Sequence, residues 1–162
     1  MLPIHVILHP TDFSECSGNA LQLACALARD YGARLVVLHV SQPPAVGFGE
    51  AMPPPDPNLM ANLAMDRLNQ MDIPNPGIRA ERRYAEGDPV RMILRVAEEI
   101  HANLIVMGTH GRSGLERLLM GSVAEKALRK APCPVVTVRT PFLEAVADTP
   151  VATAAMSATG ML

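Results

Sequence analysis

Between Gly108 and Ser122 the chain reads Gly108-Thr-His-Gly-Arg-Ser-Gly-Leu-Glu-Arg-Leu-Leu-Met-Gly-Ser122, a glycine-punctuated loop between an apolar run and a helical stripe. Glycine lacks a Cβ, so its backbone can approach a ligand closely. The unpaired N–H groups at a helix start carry partial positive charge, and together the two features suit a phosphate. Ser122 can donate to that phosphate, and Ser122-x-x-Glu125 also has the pattern of a capping box; one residue can do both. Arg112 can pair with phosphate oxygens, whereas Arg117 reads as part of a solvated face. Asp12, after the first apolar run, can accept from ligand hydroxyls, or it can cap the following helix with Glu15 as its capping-box partner.

His9, His39 and His110 are dispersed and lack a short ligand spacing, so they read as polar lining of a cleft and not as a metal site. Cys16, Cys25 and Cys133 follow no C-x-x-C or zinc pattern and read as free thiols, with Cys25 inside an apolar helix stripe. The loop is not G-x-x-x-x-G-K-[ST], and no second carboxylate is evidently placed to hold a metal or orient water. No catalytic residue is assigned, and any hydrolysis of a phosphate ligand held there is expected to be slow.

Strands and helices must alternate to hold this loop. Ile4–His9 is a β-branched run ending at Pro10, and Leu21, Ala24, Leu27, Ala28 and Tyr31 then form a helical stripe stopped by Gly32. Arg34–Val40 is a second, fully buried strand. Ser41 to Pro57 holds six prolines and two glycines and reads as a loop. Met60, Leu63, Ala64, Leu68 and Met71 recur at helical spacing, with Met60, Met65 and Met71 as core or gap filling. Residues 78–84 form a more polar strand, and Asp88 with Pro89 starts a helix whose buried face is Val90, Ile93, Leu94, Ala97 and Ile100. After the strand at 103–107 and the glycine loop, Val123, Ala127, Leu128 and Ala131 make a last stripe. Pro134–Val138 makes a last strand, and residues 141–162 read as a disordered tail. Five strands alternating with helices require an open, doubly wound parallel sheet, α/β in class, covered on both faces. Ligands bind such a sheet beyond the carboxyl ends of its strands, where strand order reverses.

The chain has 162 residues, 49% hydrophobic and 3% aromatic, with a net charge of −2, which is enough for one core. It lacks the basic footprint and stacking platform of a nucleic-acid binder. The N-terminal residues show no basic n-region and no span-length apolar stretch, so a cytoplasmic location with no membrane partner is expected.

The spacing Gly108-x2-Gly111-x9-Gly121-Ser122, with Pro10-Thr-Asp12-Phe-Ser14 after the first strand, resembles the universal stress protein family. The resemblance covers residues 3–139 and includes Val106–Gly114 and Ala131–Val138. It implies one domain over 1–140, Rossmann-like and similar to the adenine nucleotide alpha hydrolases, with strand order 3-2-1-4-5. It also implies ATP as ligand, with Asp12 on the ribose and the Val40 backbone on adenine. Gly108, Gly111, Arg112, Gly121, Ser122 and Val123 would line phosphates and sugar, with Pro10, Thr11 and Met107 beside them. Any Mg²⁺ would ride on the phosphates. The apolar terminal strand, Val135 to Val138, invites pairing with a second copy if it lies at a sheet edge, and the resemblance implies the same homodimer. The function this favours is a stress or signalling module whose nucleotide occupancy alters conformation or assembly. The alternatives are a slow ATPase, a sensor of AMP or cyclic AMP, and a ligand-free interaction protein.

Overall fold

The computed structural model describes residues 3–42, 56–73, 75–109 and 120–139. Their elements follow in the order β1 (Val6–Thr11), α1 (Glu15–Tyr31), β2 (Arg34–Ser41), α2 (Pro57–Asn69), β3 (Ala80–Glu86), α3 (Pro89–Glu99), β4 (Leu104–Gly108), α4 (Ser122–Lys130) and β5 (Val135–Val138). All four strand pairings are parallel, and the sheet runs β3-β2-β1-β4-β5, the Rossmann-like arrangement expected. The expected disordered tail and most of the proline-rich loop lie outside the described residues.

Alternate residues of the central strands feed two cores. Ile7, Leu35, Val37 and Val106 pack with α1 and with Leu68 of α2, while Leu8, Val36, Leu38 and Ile105 pack with α3 and α4. Ala20, Ala24 and Ala28 share one face of α1 and are all buried, which lets that helix lie close to the strands. The closest approach is at its first turn. A Cβ on Gly108 would stand 3.0 Å from the Cys16 carbonyl carbon and 3.1 Å from Ser17 N, so this glycine is needed for α1 to lie on β4.

Helix starts correct two expectations. Asp12 does not cap α1: its Oδ1 accepts from Ser14 N at 3.1 Å and Ser14 Oγ at 2.6 Å, and Ser14 becomes the cap, accepting from Ser17 N. Glu15 is then the first helical residue and cannot serve as a capping-box partner. Pro57 belongs not to the loop but to the first turn of α2, where Asp56 is the cap and a missing N–H costs nothing. Asp88 and Pro89 start α3 as expected, with Asp88 accepting from Arg91 N at 2.8 Å.

Four residues of the expected apolar stripes face solvent instead: Tyr31, Met60, Leu63 and Leu128. Tyr31 is the last residue of α1, where the chain turns away at the left-handed Gly32. The early part of α2 lies off the sheet, and its contact with the core comes through Met65, Leu68 and Met71. In α4, Ala124 and Ala127 meet the core, leaving Leu128 outward. The two sheet edges differ in character. Edge strand β3 carries Glu81, held by Arg34 at 2.7 Å and by Arg83, which also reaches Glu99 at 2.8 Å. Edge strand β5 is valine-rich, and Val136 is exposed.

The central pairings end at different depths. β1 follows β2 to Thr11 opposite His39, but it follows β4 only through Ile7–Leu104 and Leu8–Ile105. His9, the next residue, is fully buried; its Nδ1 lies 2.8 Å from the Val106 carbonyl and its Nε2 has no partner among the described residues. Burial lowers its pKa to about 4. Two predictions follow from these contacts. Above pH 6.5 His9 is neutral whether folded or unfolded, and between 6.5 and about 4 only the unfolded chain takes up its proton. Urea unfolding should therefore show wild type losing about 3 kcal/mol relative to His9→Phe across that window. Gly108→Ala should cost about 1–3 kcal/mol in the same assay at pH 7, because the new methyl group meets backbone and not a side chain that could turn aside.

Candidate functional site

A cavity of about 320 Å³ opens where β1 and β4 part. Its apolar lining comes from Leu38 and Val40 at the end of β2, Pro89 and Ile93 on the first turns of α3, and Met107. Its polar or bare lining comes from Thr11 and Asp12 in β1 and its following turn, Ser17 of α1, Gly108 and Thr109 at the end of β4, and Gly121 and Ser122 at the start of α4. A cavity with both kinds of lining can take a ligand that joins a flat apolar body to hydroxyls or an anion.

Of the residues expected from sequence, Pro10, Thr11, Asp12, Val40, Met107, Gly108, Gly121, Ser122 and Val123 line this cavity. Gly111 and Arg112 lie outside the described residues, as do His110 and Arg117. Ser17, Leu38, Pro89, Ile93, Thr109 and Ala124 are additional lining residues. Ser17 was legible as the polar member of the buried face that continues through Ala20 and Ala24. Pro89 and Ile93 share one helical face, but nothing local says that this face roofs a cleft.

The turn that presents Asp12 is held from several directions. Thr11 Oγ1 accepts from Phe13 N at 3.1 Å and from Ser17 Oγ at 2.7 Å. His39 Nδ1 lies 2.8 Å from the Thr11 carbonyl. Phe13 has φ of 64°, a conformation a bulky residue adopts only under constraint. Its ring contacts the His39 ring, 4.4 Å away, and the Arg67 guanidinium of α2, also 4.4 Å from its centroid.

The start of α4 differs from the capping box that Ser122 and Glu125 suggested. Gly121 is the cap residue and makes no side-chain cap bond, while Glu125 accepts from Arg129 at 2.8 Å. With Ser122 one position inside the helix, its hydroxyl is not the cap. The glycine cap thus offers no side-chain acceptor to the first-turn N–H groups of Ser122, Val123 and Ala124 at the wall of the cavity. Gly121 itself is tied down, its N–H donating to the Thr109 carbonyl at 2.7 Å.

His9 and His39 do not line the cleft. His9 is in the core beneath it, and His39 braces the Asp12 turn. Among the described residues, no group of three or more His, Cys, Asp or Glu is placed to hold a metal. Burial pushes the Cys25 thiol up to about 11 and raises that of Cys133, which keeps both protonated. Cys16 donates to the Val138 carbonyl at 3.2 Å.

Known proteins share this arrangement. The sequence profile of the Universal stress protein family matches residues 3–139. Universal stress protein MJ0531 of Methanocaldococcus jannaschii is 34% identical over 146 residues, spanning 85% of this chain and 84% of that protein. The solved structure of MJ0577, from the same organism, superposes with a TM-score of 0.69 at 25% identity, covering 87% of this chain and 99% of that one. A universal stress protein from Archaeoglobus fulgidus, solved in complex with dAMP, superposes with a TM-score of 0.61 at 22% identity, covering 86% of this chain and all of that one, a likeness of fold. Sequence and fold agree, and this chain belongs to the universal stress protein family.

Proposed function

We propose that this protein binds ATP in the cleft between the parted ends of β1 and β4 and acts in stress response or signalling through nucleotide-dependent change in conformation or assembly. The observation that carries this reading is a cavity that combines apolar lining with the Asp12 carboxylate and a helix start. Adenine fits among Val40, Pro89 and Met107, where the end of β2 offers backbone groups to its edge. The ribose hydroxyls fall to Asp12, whose carboxylate is oriented by Ser14. The phosphates reach the first turn of α4, where the glycine cap supplies no side-chain acceptor and N–H groups and helix dipole favour an anion. Gly111 and Arg112 complete the phosphate end, and Mg²⁺ rides on the phosphates. The dAMP bound by the Archaeoglobus fulgidus protein belongs to the same chemical class.

Among the described lining residues, Asp12 is the one titratable side chain. A single carboxylate held by Ser14 supplies no paired group to fix a metal and align water, so the reading is a site that holds nucleotide more than cleaves it. Assembly proceeds through β5, whose valines leave an apolar edge while β3 is guarded by charge. A cytoplasmic setting, where ATP is supplied, fits this function. No described helix is long and apolar enough to cross a membrane.

Titration calorimetry on nucleotide-free protein should show ATP binding that weakens about tenfold or more in Asp12→Ala, the cost of removing a charged acceptor. ADP, AMP and cyclic AMP as competitors rank the phosphate requirement. A wild-type protein that takes up no ATP, and whose melting temperature is indifferent to millimolar ATP, would overturn the reading. Light scattering should give a dimer for wild type and a monomer for Val136→Lys, since the added charge lies on the exposed edge. A monomeric wild type would end the proposed assembly.

A further inference from the structure

The parting of β1 from β4 has a local cause in two adjacent residues. Backbone groups of a parallel strand address its two neighbours alternately. In this chain the His5 carbonyl accepts from Arg34 on the β2 side, and the Val6 carbonyl from Asn103 on the β4 side. Even-numbered residues of β1 therefore face β4. On the other strand Ile105 N and Thr109 N donate toward the β5 side, so the even-numbered residues of β4 face β1. With Leu8 opposite Ile105, the next rung of the ladder would run from the N–H of residue 10 to the Val106 carbonyl. Residue 10 is proline and has no N–H. The register stops there, and the Val106 carbonyl, in a residue with no exposed surface, meets His9 Nδ1 at 2.8 Å instead.

We infer that His9 is the positioning residue of the cleft: its Nδ1–H replaces the ladder bond that Pro10 cannot make, joining β1 to β4 at Val106 while their ends part around the ligand. This inference rests on the cleft being the nucleotide site. A carbonyl only accepts, so Nδ1 must carry the proton and Nε2 the lone pair, and that lone pair is the buried atom without a partner. A side chain present only to fill the core would be apolar, since an unpaired imidazole nitrogen in a dry interior is unfavourable. What the imidazole contributes is spacing. Directly beyond the strut, Pro10–Asp12 form one lip of the cavity and Met107–Thr109 the other. A backbone rung at residue 10 would draw those lips together to the separation of an ordinary strand pair.

Nitrogen-15 spectra of the ligand-free protein read the tautomer directly: Nδ1–H is expected, and an Nε2–H tautomer would overturn the inference even if no variant folds. His9→Asn places its amide nitrogen where Nδ1 stands, whereas His9→Phe fills the volume with no donor. Calorimetry with ATP should show His9→Asn recovering most of the wild-type affinity and His9→Phe about tenfold weaker, the effect of a lost buried bond on the site. If His9→Phe binds ATP as tightly as His9→Asn, the strut is refuted. Adding Pro10→Ala to His9→Phe returns a backbone donor to Val106. The double variant should melt above His9→Phe yet remain weak for ATP, because the rung now closes the cleft; a double variant no more stable than His9→Phe contradicts the inference. Should wild type fail to bind ATP, the functional reading falls alone, while the tautomer and the melting order still decide the role of His9.

Discussion

Everything at the ligand end of this molecule depends on β1 keeping one neighbour and releasing the other. A central parallel strand is bonded on both sides, and its backbone groups must be paired because no water reaches them. β1 stays with β2 to its last residue and leaves β4 after Leu8. The released space is a cleft because α1 goes to one face of the sheet and α3 and α4 to the other, so none of these described helices crosses the gap. Pro10 ends the ladder without leaving an orphan donor, and His9 meets the carbonyl that would otherwise be stranded.

Residues around the cleft give up local stability for position. His9 is buried neutral with one nitrogen unpaired, and Phe13 adopts a left-handed backbone. Each is held by its surroundings: His9 by Val106, Phe13 by the His39 ring and the Arg67 guanidinium. The Phe13 turn carries Asp12 at the cavity, and the Arg67 contact ties that turn to α2. The cavity wall is thereby linked to a helix none of whose described residues lines it. Gly108 shows the same economy from the opposite direction. Its missing Cβ admits the backbone of α1, and the same residue lines the cleft, so one glycine serves packing and ligand access together.

The edges of the sheet bear on the proposed assembly as its centre bears on the proposed binding. Charge on Glu81, Arg82 and Arg83 makes β3 a poor template for another strand; Arg82 also turns inward to bond the carbonyls of Leu68 and Met71 at the end of α2. β5 has no such guard. It is joined to the ligand end through Val138, whose carbonyl accepts from Thr109 N at 3.0 Å and from the Cys16 thiol. Thr109 is a cavity residue, so the edge strand and the cleft share a bonded neighbour.

Sequence alone determined the features that depend on near neighbours. The five strands, the start of α3 at Asp88 and Pro89, and the stop at Gly32 were legible because capping, turns and β-branched runs act within a few residues. The family pattern added the strand order. Tertiary structure decided what depends on partners far along the chain. Asp12 and Ser14 are equally good caps by type, and Ser14 serves because Asp12 is drawn back onto it at the mouth of the cleft. Tyr31, Leu63 and Leu128 fit their stripes by spacing and lie outside the core because the packed sheet leaves those faces uncovered. Gly108 has two structural reasons to be glycine, and the one set by α1 comes from residues more than ninety positions away. The pairing of His9 with Val106, 97 positions apart, is of the same kind: a hydrogen bond needs its partner brought within 3 Å, and only the closed sheet does that.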